Sequence, residues 1–272
     1  MVKAEVKAAN RWDADLALLI SAAKDAGAAA MTYFRKDPEV TWKNGGRSPV
    51  TEADFAANRV LADHLRPARE TYGWLSEESD DDPVRLTQET LFVIDPIDGT
   101  RGFIDGASNW VVSAAIVHAG RPVAGVLYAP VRDELYTAVA GGTAHKNGVA
   151  LSIADPRAEG PLRISGGKDL MKRFEPDFAA GIERTAHVPS LAYRIAMIAD
   201  GRIDATLVKP HAHDWDIAAA ELILECAGGR LCDCEEAPVI YNRADVSHGF
   251  LIGAGNAVIP GLLRHFSPVG DS

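Results

Sequence analysis

Residues 91–102 read LFVIDPIDGTRG, and this stretch decides how the rest of the chain is interpreted. The run from Leu91 to Ile94 is apolar and rich in β-branched and aromatic side chains, and Asp-Pro and Asp-Gly follow it. Such runs are typical of buried strands, so we predict a strand that ends at Asp95. Two carboxylates, Asp95 and Asp98, then lie at a strand exit. Because buried charge needs a partner or a metal ion, the question is which other side chains meet them.

The composition limits the classes of function. A chain of 272 residues can form one large domain or two closely joined ones. Its net charge of −10 argues against a nucleic-acid-binding surface and against anionic membranes. The N-terminal segment lacks the apolar run of a secretion signal, and no window approaches the roughly 20 apolar residues of a membrane span. We therefore expect a cytoplasmic protein with no nucleic-acid or membrane partner.

Apolar periodicity predicts a mixture of helices and strands. The predicted helices run from Asp13 to about Lys36, from residues 48–54 to about Leu65, from about Ser190 to Asp200, from Ile217 to Cys226 and from about Ala257 to Phe266. Further strands are predicted over 110–117, 123–128 and 134–139, as an antiparallel meander, and over 203–208 and 250–253. Asn147-Gly148 is predicted to form a turn.

Other carboxylates have two interpretations each. Asp54 follows Thr51 at the spacing of a capping box, and Asp216 lies in the first turn of a predicted helix. Each of them could therefore cap a helix instead of serving in a functional site. Asp214 is a second candidate for that helix cap. Glu77 follows an apolar pair that is consistent with a strand end, which would bring it beside Asp95.

The chain lacks the sequence signatures of several kinds of catalytic site. The chain has no GxGxxG after a strand, no P-loop, no GxSxG elbow and no HExxH. His211 and His213 are more typical of surface or supporting positions than of ligands. The three cysteines, Cys226, Cys232 and Cys234, fit small apolar side chains better than a disulfide framework or a zinc site.

What remains is a set of carboxylates and carbonyl oxygens, which suits Mg²⁺. An acidic cluster of this kind typically holds two Mg²⁺ ions that orient a phosphate and activate water. Thr100 adds a hydroxyl and a backbone N–H where a helix can begin, which suits phosphate binding.

These motifs resemble those of the inositol monophosphatase superfamily, the lithium-sensitive, magnesium-dependent phosphatases. Residues 95–100, DPIDGT, are similar to the family's first motif, and residues 215–220, WDIAAA, followed by Ala227-Gly228-Gly229, are similar to its second. Residues 76–79, SEES, resemble the upstream glutamate motif, and residues 48–54, SPVTEAD, resemble the N-terminal segment. The matches span nearly the whole chain in the family's order.

The resemblance implies an α/β (α+β) fold built as a layered α-β-α-β-α sandwich. Residues 1–272 would form a single phosphatase unit, whose halves 1–150 and 151–272 share one site. Two or three Mg²⁺ ions are implied, with the metal ligands Glu77, Asp95, the carbonyl of Ile97, Asp98 and Asp216. The implied catalytic residues are Glu77, Thr100 and Asp54, which position water for in-line attack, and the implied substrate-binding residues are Gly99, Thr100, Asp98 and Arg101.

The implied substrate is a small phosphorylated metabolite. Inositol monophosphate and 3'-phosphoadenosine 5'-phosphate are close competitors, and fructose 1,6-bisphosphate and histidinol phosphate are less favoured. Arg101, Lys168, Lys172 and Lys209 are candidates for contact with a second phosphate. Ser76 stands where the family commonly has Gly, and residues 188–191 stand in place of a glycine-containing substrate loop. The alternative is a catalytically silent member that binds a partner. The resemblance also implies a homodimer.

Overall fold

Helices and sheets alternate in layers in the computed structural model, which describes residues 10–36, 39–43, 48–153 and 160–267. The helices are α1 Asp13–Met31, α2 Glu52–Ala68, α3 Thr100–Ile104, α4 Lys168–Met171, α5 Pro176–Ala179, α6 Leu191–Ala199, α7 Asp214–Cys226 and α8 Ile259–His265, with a 3₁₀ helix at Pro83–Thr87. The strands are β1 Val40–Lys43, β2 Ser48–Thr51, β3 Gly73–Ser76, β4 Thr90–Asp98, β5 Val111–His118, β6 Arg121–Ala129, β7 Glu134–Val139, β8 His145–Lys146, β9 Val149–Ala150, β10 Leu162–Ser165, β11 Ile182–Arg184, β12 Ala205–Val208, β13 Ala212–His213, β14 Gly229–Cys232, β15 Ser247–His248 and β16 Leu251–Gly255.

The larger sheet has the strand order β3-β4-β5-β6-β7-β8-β9. β3 and β4 are parallel, and each later pair is antiparallel. Strands β5, β6 and β7 confirm the predicted meander. Asn147 and Gly148 confirm the predicted turn between β8 and β9, where both have positive φ, as a tight hairpin requires.

Both faces of β4 are buried. Phe92 and Ile94 pack with side chains of α1 and α2, whereas Leu91 and Val93 pack with those of α6 and α7. Successive side chains of a strand point to opposite faces, so every residue of this run reaches a core. This explains why the stretch reads as a continuous apolar run instead of an alternating one.

The smaller sheet has the order β11-β10-β12-β16-β14. One side of it packs on α6 and α7 through Val208 and Leu251, and the other packs on α4 and α8 through Ile164 and Ile252. The layers are therefore α1 with α2, the larger sheet, α6 with α7, the smaller sheet, and α4 with α8. The predicted α-β-α-β-α sandwich is confirmed.

Helix α7 lies between the two sheets and is apolar on almost every side. Its residues 217–224 are all buried. It approaches β6 so closely that a Cβ on Gly125 would lie 3.1 Å from the carbonyl oxygen of Ala219. A helix that is apolar all round belongs inside a protein, which is where α7 lies.

The predicted helices are confirmed, with shifted ends. α1 ends at Met31 and does not reach Lys36, because Arg35 has φ of 58°, which a right-handed helix cannot continue. Asp13 is the first residue of α1, as predicted, and its carboxylate accepts a hydrogen bond from the Asn10 N–H at 2.8 Å.

The cysteines carry free thiols. Cys232 is buried at the end of β14, as predicted for a small apolar side chain, whereas Cys226 ends helix α7. Burial raises the pKa of both thiols to about 11, which keeps them protonated and unreactive at neutral pH. Within the described ranges, no helix has the length and apolar character needed to cross a bilayer.

Candidate metal centre

Strands β3 and β4 bring Glu77 beside Asp95. Ser76 is the partner of Ile94 in the parallel register, and Glu77 and Asp95 come next on their strands. The Glu77 N–H donates to the Ile94 carbonyl oxygen at 3.2 Å, which extends the pairing by one bond. The carboxylate of the glutamate motif is therefore held next to the first aspartate of residues 95–98.

The prediction that this strand ends at Asp95 is wrong. Strand β4 continues to Asp98. The register with β5 shifts between these residues, so that three steps along β4 match two along β5. Pro96 has no N–H for the sheet, and the Ile97 N–H donates instead to Asp95 Oδ1 at 3.0 Å. In a regular strand, residues three apart point to opposite faces. The irregularity allows Asp95 and Asp98 to face the same pocket.

Asp216 joins these two from the first turn of α7. The helix begins at Asp214, three residues before the predicted Ile217, and the His213 N–H donates to Asp216 Oδ2 at 2.7 Å. Asp216 therefore also acts in capping its helix. Carboxylate oxygens of Asp95, Asp98 and Asp216 all lie within 4.8 Å of one another. We call these three residues the carboxylate trio.

The carboxylate trio opens into a pocket of about 470 Å³. The pocket is lined by Pro49, Glu77, Asp95, Ile97, Asp98, Gly99, Thr100, Arg101, Asp105, His187, Pro189 and Asp216. This lining includes all five predicted metal ligands and the four predicted substrate-binding residues Gly99, Thr100, Asp98 and Arg101. The remaining predicted site residue, Asp54, lies behind Thr100, and the residues lining the pocket come from both halves of the chain.

Burial and mutual repulsion make this pocket costly for negative charge. The pKa of Glu77 is raised to about 8 and that of Asp98 to about 7. In both cases burial is the largest cause, and repulsion by the Asp216 carboxylate is the second. Burial and the Glu77 charge raise the pKa of Asp95 well above its usual range. These carboxylates cannot all be ionised at neutral pH unless a cation compensates them.

The donor set fits Mg²⁺. Carboxylate and carbonyl oxygens are the ligands that this ion prefers, and here they converge on one small space. Among the described residues that line the pocket there is no thiol, which a softer metal would favour. The cluster can therefore hold a hard divalent cation, which would offset the repulsion between its members.

Thr100 connects the pocket to Asp54. Its Oγ1 lies 3.1 Å from Asp54 Oδ1 and 3.1 Å from the Ile97 carbonyl oxygen, so its single hydrogen is directed to one of these acceptors. Asp54 Oδ2 accepts from the N–H and the hydroxyl of Thr51 at 2.8 and 2.7 Å. The predicted capping box is confirmed, and the same carboxylate also orients Thr100. Burial raises the pKa of Asp54 to about 6.

Ser190 is a site residue that sequence reasoning missed. Its hydroxyl donates to Asp98 Oδ2 at 2.6 Å, and the Ala192 N–H donates to the same oxygen at 2.6 Å. The Leu191 N–H contacts Asp98 Oδ1 at 3.3 Å. The first turn of α6 therefore fixes this carboxylate. The sequence signal was the serine cap of a predicted helix, but nothing in it identified Asp98 as its partner.

Gly99 allows the first turn of α6, at Ser190, to approach Asp98 closely. Its φ is 97°, and a Cβ there would lie 3.1 Å from the Ser190 backbone nitrogen. Only glycine adopts this conformation without strain while allowing such an approach. The turn after Asp98 is therefore shaped by its position against α6.

The cations predicted for a second phosphate separate into two groups. Arg101 lines the pocket, whereas Lys168, Lys172 and Lys209 are not among the described residues that do so. Lys209 instead forms an ion pair with Asp169 at 2.8 Å on the surface. Three arginines that sequence reasoning did not bring together also influence His187, a lining residue: Arg194, Arg184 and Arg101 add to burial in lowering its pKa. We call the three arginines around His187, namely Arg101, Arg184 and Arg194, the cationic rim.

The two histidines ahead of α7 have different surroundings. Neither His211 nor His213 is among the described residues that line the pocket. The His213 ring stacks on Trp215 with centroids 4.6 Å apart, and the Asp216 carboxylate, 3.6 Å from its Nδ1, raises the pKa of His213. His213 therefore supports a member of the carboxylate trio from outside the pocket.

Comparisons with known proteins agree with this geometry. Residues 12–265 match the model of the inositol monophosphatase family. The chain is 30% identical over 245 residues to 3'(2'),5'-bisphosphate nucleotidase CysQ of Aggregatibacter actinomycetemcomitans, covering 86% of this chain and 91% of the relative. It is 33% identical over 198 residues to inositol-1-monophosphatase of Rhizobium meliloti, covering 68% and 72%.

The fold is also similar to that of a solved structure. The crystal structure of extragenic suppressor protein suhB from Bartonella henselae matches with a TM-score of 0.80 and 26% identity, covering 93% of this chain and 98% of that one. The family match includes nearly all described residues, and the relatives align over most of their own length. The chain therefore belongs to the inositol monophosphatase family.

Proposed function

We propose that this protein is a Mg²⁺-dependent phosphomonoesterase that acts on a small phosphorylated metabolite. The observation that carries the proposal is the carboxylate trio, which shares one pocket with Glu77 and with a threonine hydroxyl held by a buried aspartate. Relatives named as phosphatases support the same reaction class. The chain would act as one unit, whose halves 1–150 and 151–272 share the site.

Each carboxylate has a separate task in this proposal. Glu77, Asp95 and the Ile97 carbonyl would hold one Mg²⁺, and Asp95, Asp98 and Asp216 would hold a second. When bound, Mg²⁺ supplies positive charge to the phosphate oxygens and increases the acidity of water. Ser190 and the amides of α6 keep Asp98 in a fixed orientation.

The remaining residues position water and phosphate. When the Thr100 hydroxyl donates its hydrogen to Asp54, its lone pairs are left to accept a hydrogen bond from water. Thr100 and Glu77 would therefore direct a water lone pair at phosphorus for in-line attack. The N–H groups of Gly99 and Thr100 would donate to the phosphate oxygens. No side chain in this arrangement forms a covalent intermediate.

The cationic rim favours a substrate with a second anionic group. Arg101 directly follows Thr100 in the pocket lining, and Arg184 and Arg194 are close enough to His187 to lower its pKa. Positive charge beside the phosphate seat attracts a second phosphate more than a neutral polyol. We therefore propose 3'-phosphoadenosine 5'-phosphate or a related bisphosphate ahead of inositol monophosphate.

The proposed reaction is tested by phosphate release from a panel of phosphomonoesters. The panel includes 3'-phosphoadenosine 5'-phosphate, inositol monophosphate, fructose 1,6-bisphosphate and histidinol phosphate, each with Mg²⁺ and with EDTA. We expect Mg²⁺-dependent release that is abolished by EDTA. Full activity of the D98N protein on its best substrate would refute the proposed metal ligands. A protein that hydrolyses no member of the panel would support the alternative, a catalytically silent binding protein.

The substrate proposal makes a separate prediction for Arg101. Replacing Arg101 by Gln should lower kcat/KM for 3'-phosphoadenosine 5'-phosphate about tenfold more than for inositol monophosphate, the scale of one charge-assisted hydrogen bond. The matched control is Lys209→Gln, which removes a surface cation paired with Asp169. Steady-state kinetics on both substrates measure the ratio. An equal loss on both substrates would show that Arg101 does not recognise a second anion.

A further inference from the structure

A buried aspartate fixes the start of the helix that carries Asp216. Asp214 is the first residue of α7 and is 0% exposed. Its Oδ1 lies 2.7 Å from His248 Nε2, and its Oδ2 accepts a hydrogen bond from the Asn242 N–H at 2.8 Å. Neither Asp214 nor His248 is among the described residues lining the pocket of the carboxylate trio. Their contact therefore lies behind the site.

The chain around His248 also holds the backbone ahead of α7. β13 pairs with β15, which sets Ala212 opposite His248. The Asp214 N–H donates to the Val246 carbonyl oxygen at 3.0 Å, and the His211 N–H donates to the His248 carbonyl oxygen at 2.8 Å. The first N–H groups of a helix have no partner within it. Here one of them is satisfied by the same segment that supplies the imidazole.

The imidazole is itself oriented. Arg243 Nη2 lies 3.4 Å from His248 Nδ1 and donates to the Ser247 carbonyl oxygen at 2.6 Å. A guanidinium only donates, so Nδ1 is the acceptor and Nε2 carries the hydrogen that is directed to Asp214. The Asp214–His248 hydrogen bond therefore has a defined direction.

The same segment also contacts the stretch of chain that follows Glu77. Arg85 is buried in the 3₁₀ helix and donates to Asn242 Oδ1 at 2.8 Å and to the Arg243 carbonyl oxygen at 3.0 Å. Two further bonds, of 2.6 and 2.8 Å, join Arg85 to Asp81, four residues after Glu77. Residues 242–248 thus connect the two regions of chain that deliver Glu77 and Asp216.

We propose that Asp214 and His248 are positioning residues that hold the first turn of α7, so that Asp216 is presented to the metal site. The inference rests on the proposed function only in taking Asp216 as a metal ligand. Without metal, Asp216 is repelled by Asp95 and Asp98, and a loosely held first turn would yield to that repulsion. The bonds to His248 and Asn242 keep the turn in place and leave the site ready for a cation.

The test measures Mg²⁺ binding directly, by isothermal titration calorimetry on the full chain. Replacing His248 by Ala should raise the Mg²⁺ dissociation constant about tenfold, since residues that orient metal ligands typically have effects of this size. His248→Gln places an amide N–H near the position of Nε2 and should restore most of the affinity. Far-ultraviolet circular dichroism establishes that each variant is folded.

The matched control is Tyr241→Phe. The Tyr241 hydroxyl forms a hydrogen bond with Glu221, which lies on α7 two turns after Asp214. Glu221 also pairs with Arg121 at 3.0 Å. This variant keeps the ring that contacts His248 and removes only the buried hydrogen bond to Glu221, five residues after Asp216 in α7. We expect a lower melting temperature with unchanged Mg²⁺ affinity.

The outcomes separate the positioning role from a general loss of stability. A selective loss of affinity in H248A, rescued in H248Q and absent in Y241F, supports the proposal. Equal affinities in wild type and H248A, or equal losses in H248A and Y241F, overturn it. A wild-type protein that binds Mg²⁺ but hydrolyses no phosphomonoester overturns the proposed function alone, because the binding comparison does not depend on turnover.

Discussion

Replacing Asp95 by Asn is expected to lower kcat/KM about 10³-fold, the upper scale for losing one electrostatic contribution to a transition state. Asp95 is the proposed ligand shared by both metal sites, and it is the residue that links Glu77 to the carboxylate trio. Asn keeps the size of the side chain and one oxygen but removes the charge. Steady-state phosphate release at saturating Mg²⁺ measures the effect.

The same variant is expected to be more stable than wild type in EDTA, with a higher melting temperature. The reason is that Asp95 is buried among like charges, which raise its pKa. Thermal melts with EDTA and with Mg²⁺ measure both states, and Mg²⁺ should stabilise D95N less than wild type.

The control for D95N is Asp15→Asn. Asp15 is also buried, but Arg69 compensates it with a contact of 2.7 Å from Nε. We expect D15N to lose stability and to keep its activity, the reverse of D95N. Retention of wild-type activity by D95N, or a loss of stability in EDTA like that of D15N, would contradict the role given to Asp95.

Replacing Thr100 by Val is expected to lower kcat about 10²-fold, within the range for general acid–base and water-positioning groups. Val has nearly the same shape as Thr but cannot donate to Asp54 or accept from water. KM and Mg²⁺ affinity should change little, because the trio and the backbone amides remain. Initial rates over a range of substrate and Mg²⁺ concentrations separate these quantities.

Two further variants test whether Thr100 and Asp54 act as one unit. The effect of the double variant T100V/D54N should be close to that of T100V alone, since groups that act together are not additive. Thr206→Val is the matched control, because it removes a buried hydroxyl that donates to the Ser165 carbonyl oxygen at 3.2 Å. Additive losses in the double variant would mean that Asp54 contributes only to helix capping.

Much of the fold is predictable from the sequence because local patterns carry it. The apolar run before Asp95, the three strands of the meander and the helical periodicities each reflect burial that extends along one element. The turn at Asn147-Gly148 depends on two residues that accept positive φ. Helix ends are less predictable: α1 ends at Met31, and Arg35 then has a positive φ, although its side chain gives no such signal.

The candidate metal centre is less predictable because its geometry depends on contacts between distant elements. Pro96 signals an interruption, but the register shift that brings Asp95 and Asp98 together depends on pairing with β5. Ser190 is recognisable as a helix cap, yet its contact with Asp98 spans 92 positions of sequence. The contact of His248 with Asp214 is of the same kind. Residue types identify candidates, and tertiary packing decides which of them meet.

The layered arrangement has a consequence for biosynthesis. Glu77, Asp95 and Asp98 emerge from the ribosome well before Asp216, because the N-terminal part of a chain is made first. Until α7 has been translated and has docked between the two sheets, the nascent chain holds part of an acidic cluster and no complete cation site. In the proposed metal site, the full set of ligands would therefore come together only after α7 has docked, and metal-poor conditions would leave that late assembly without the stabilisation that a bound cation gives.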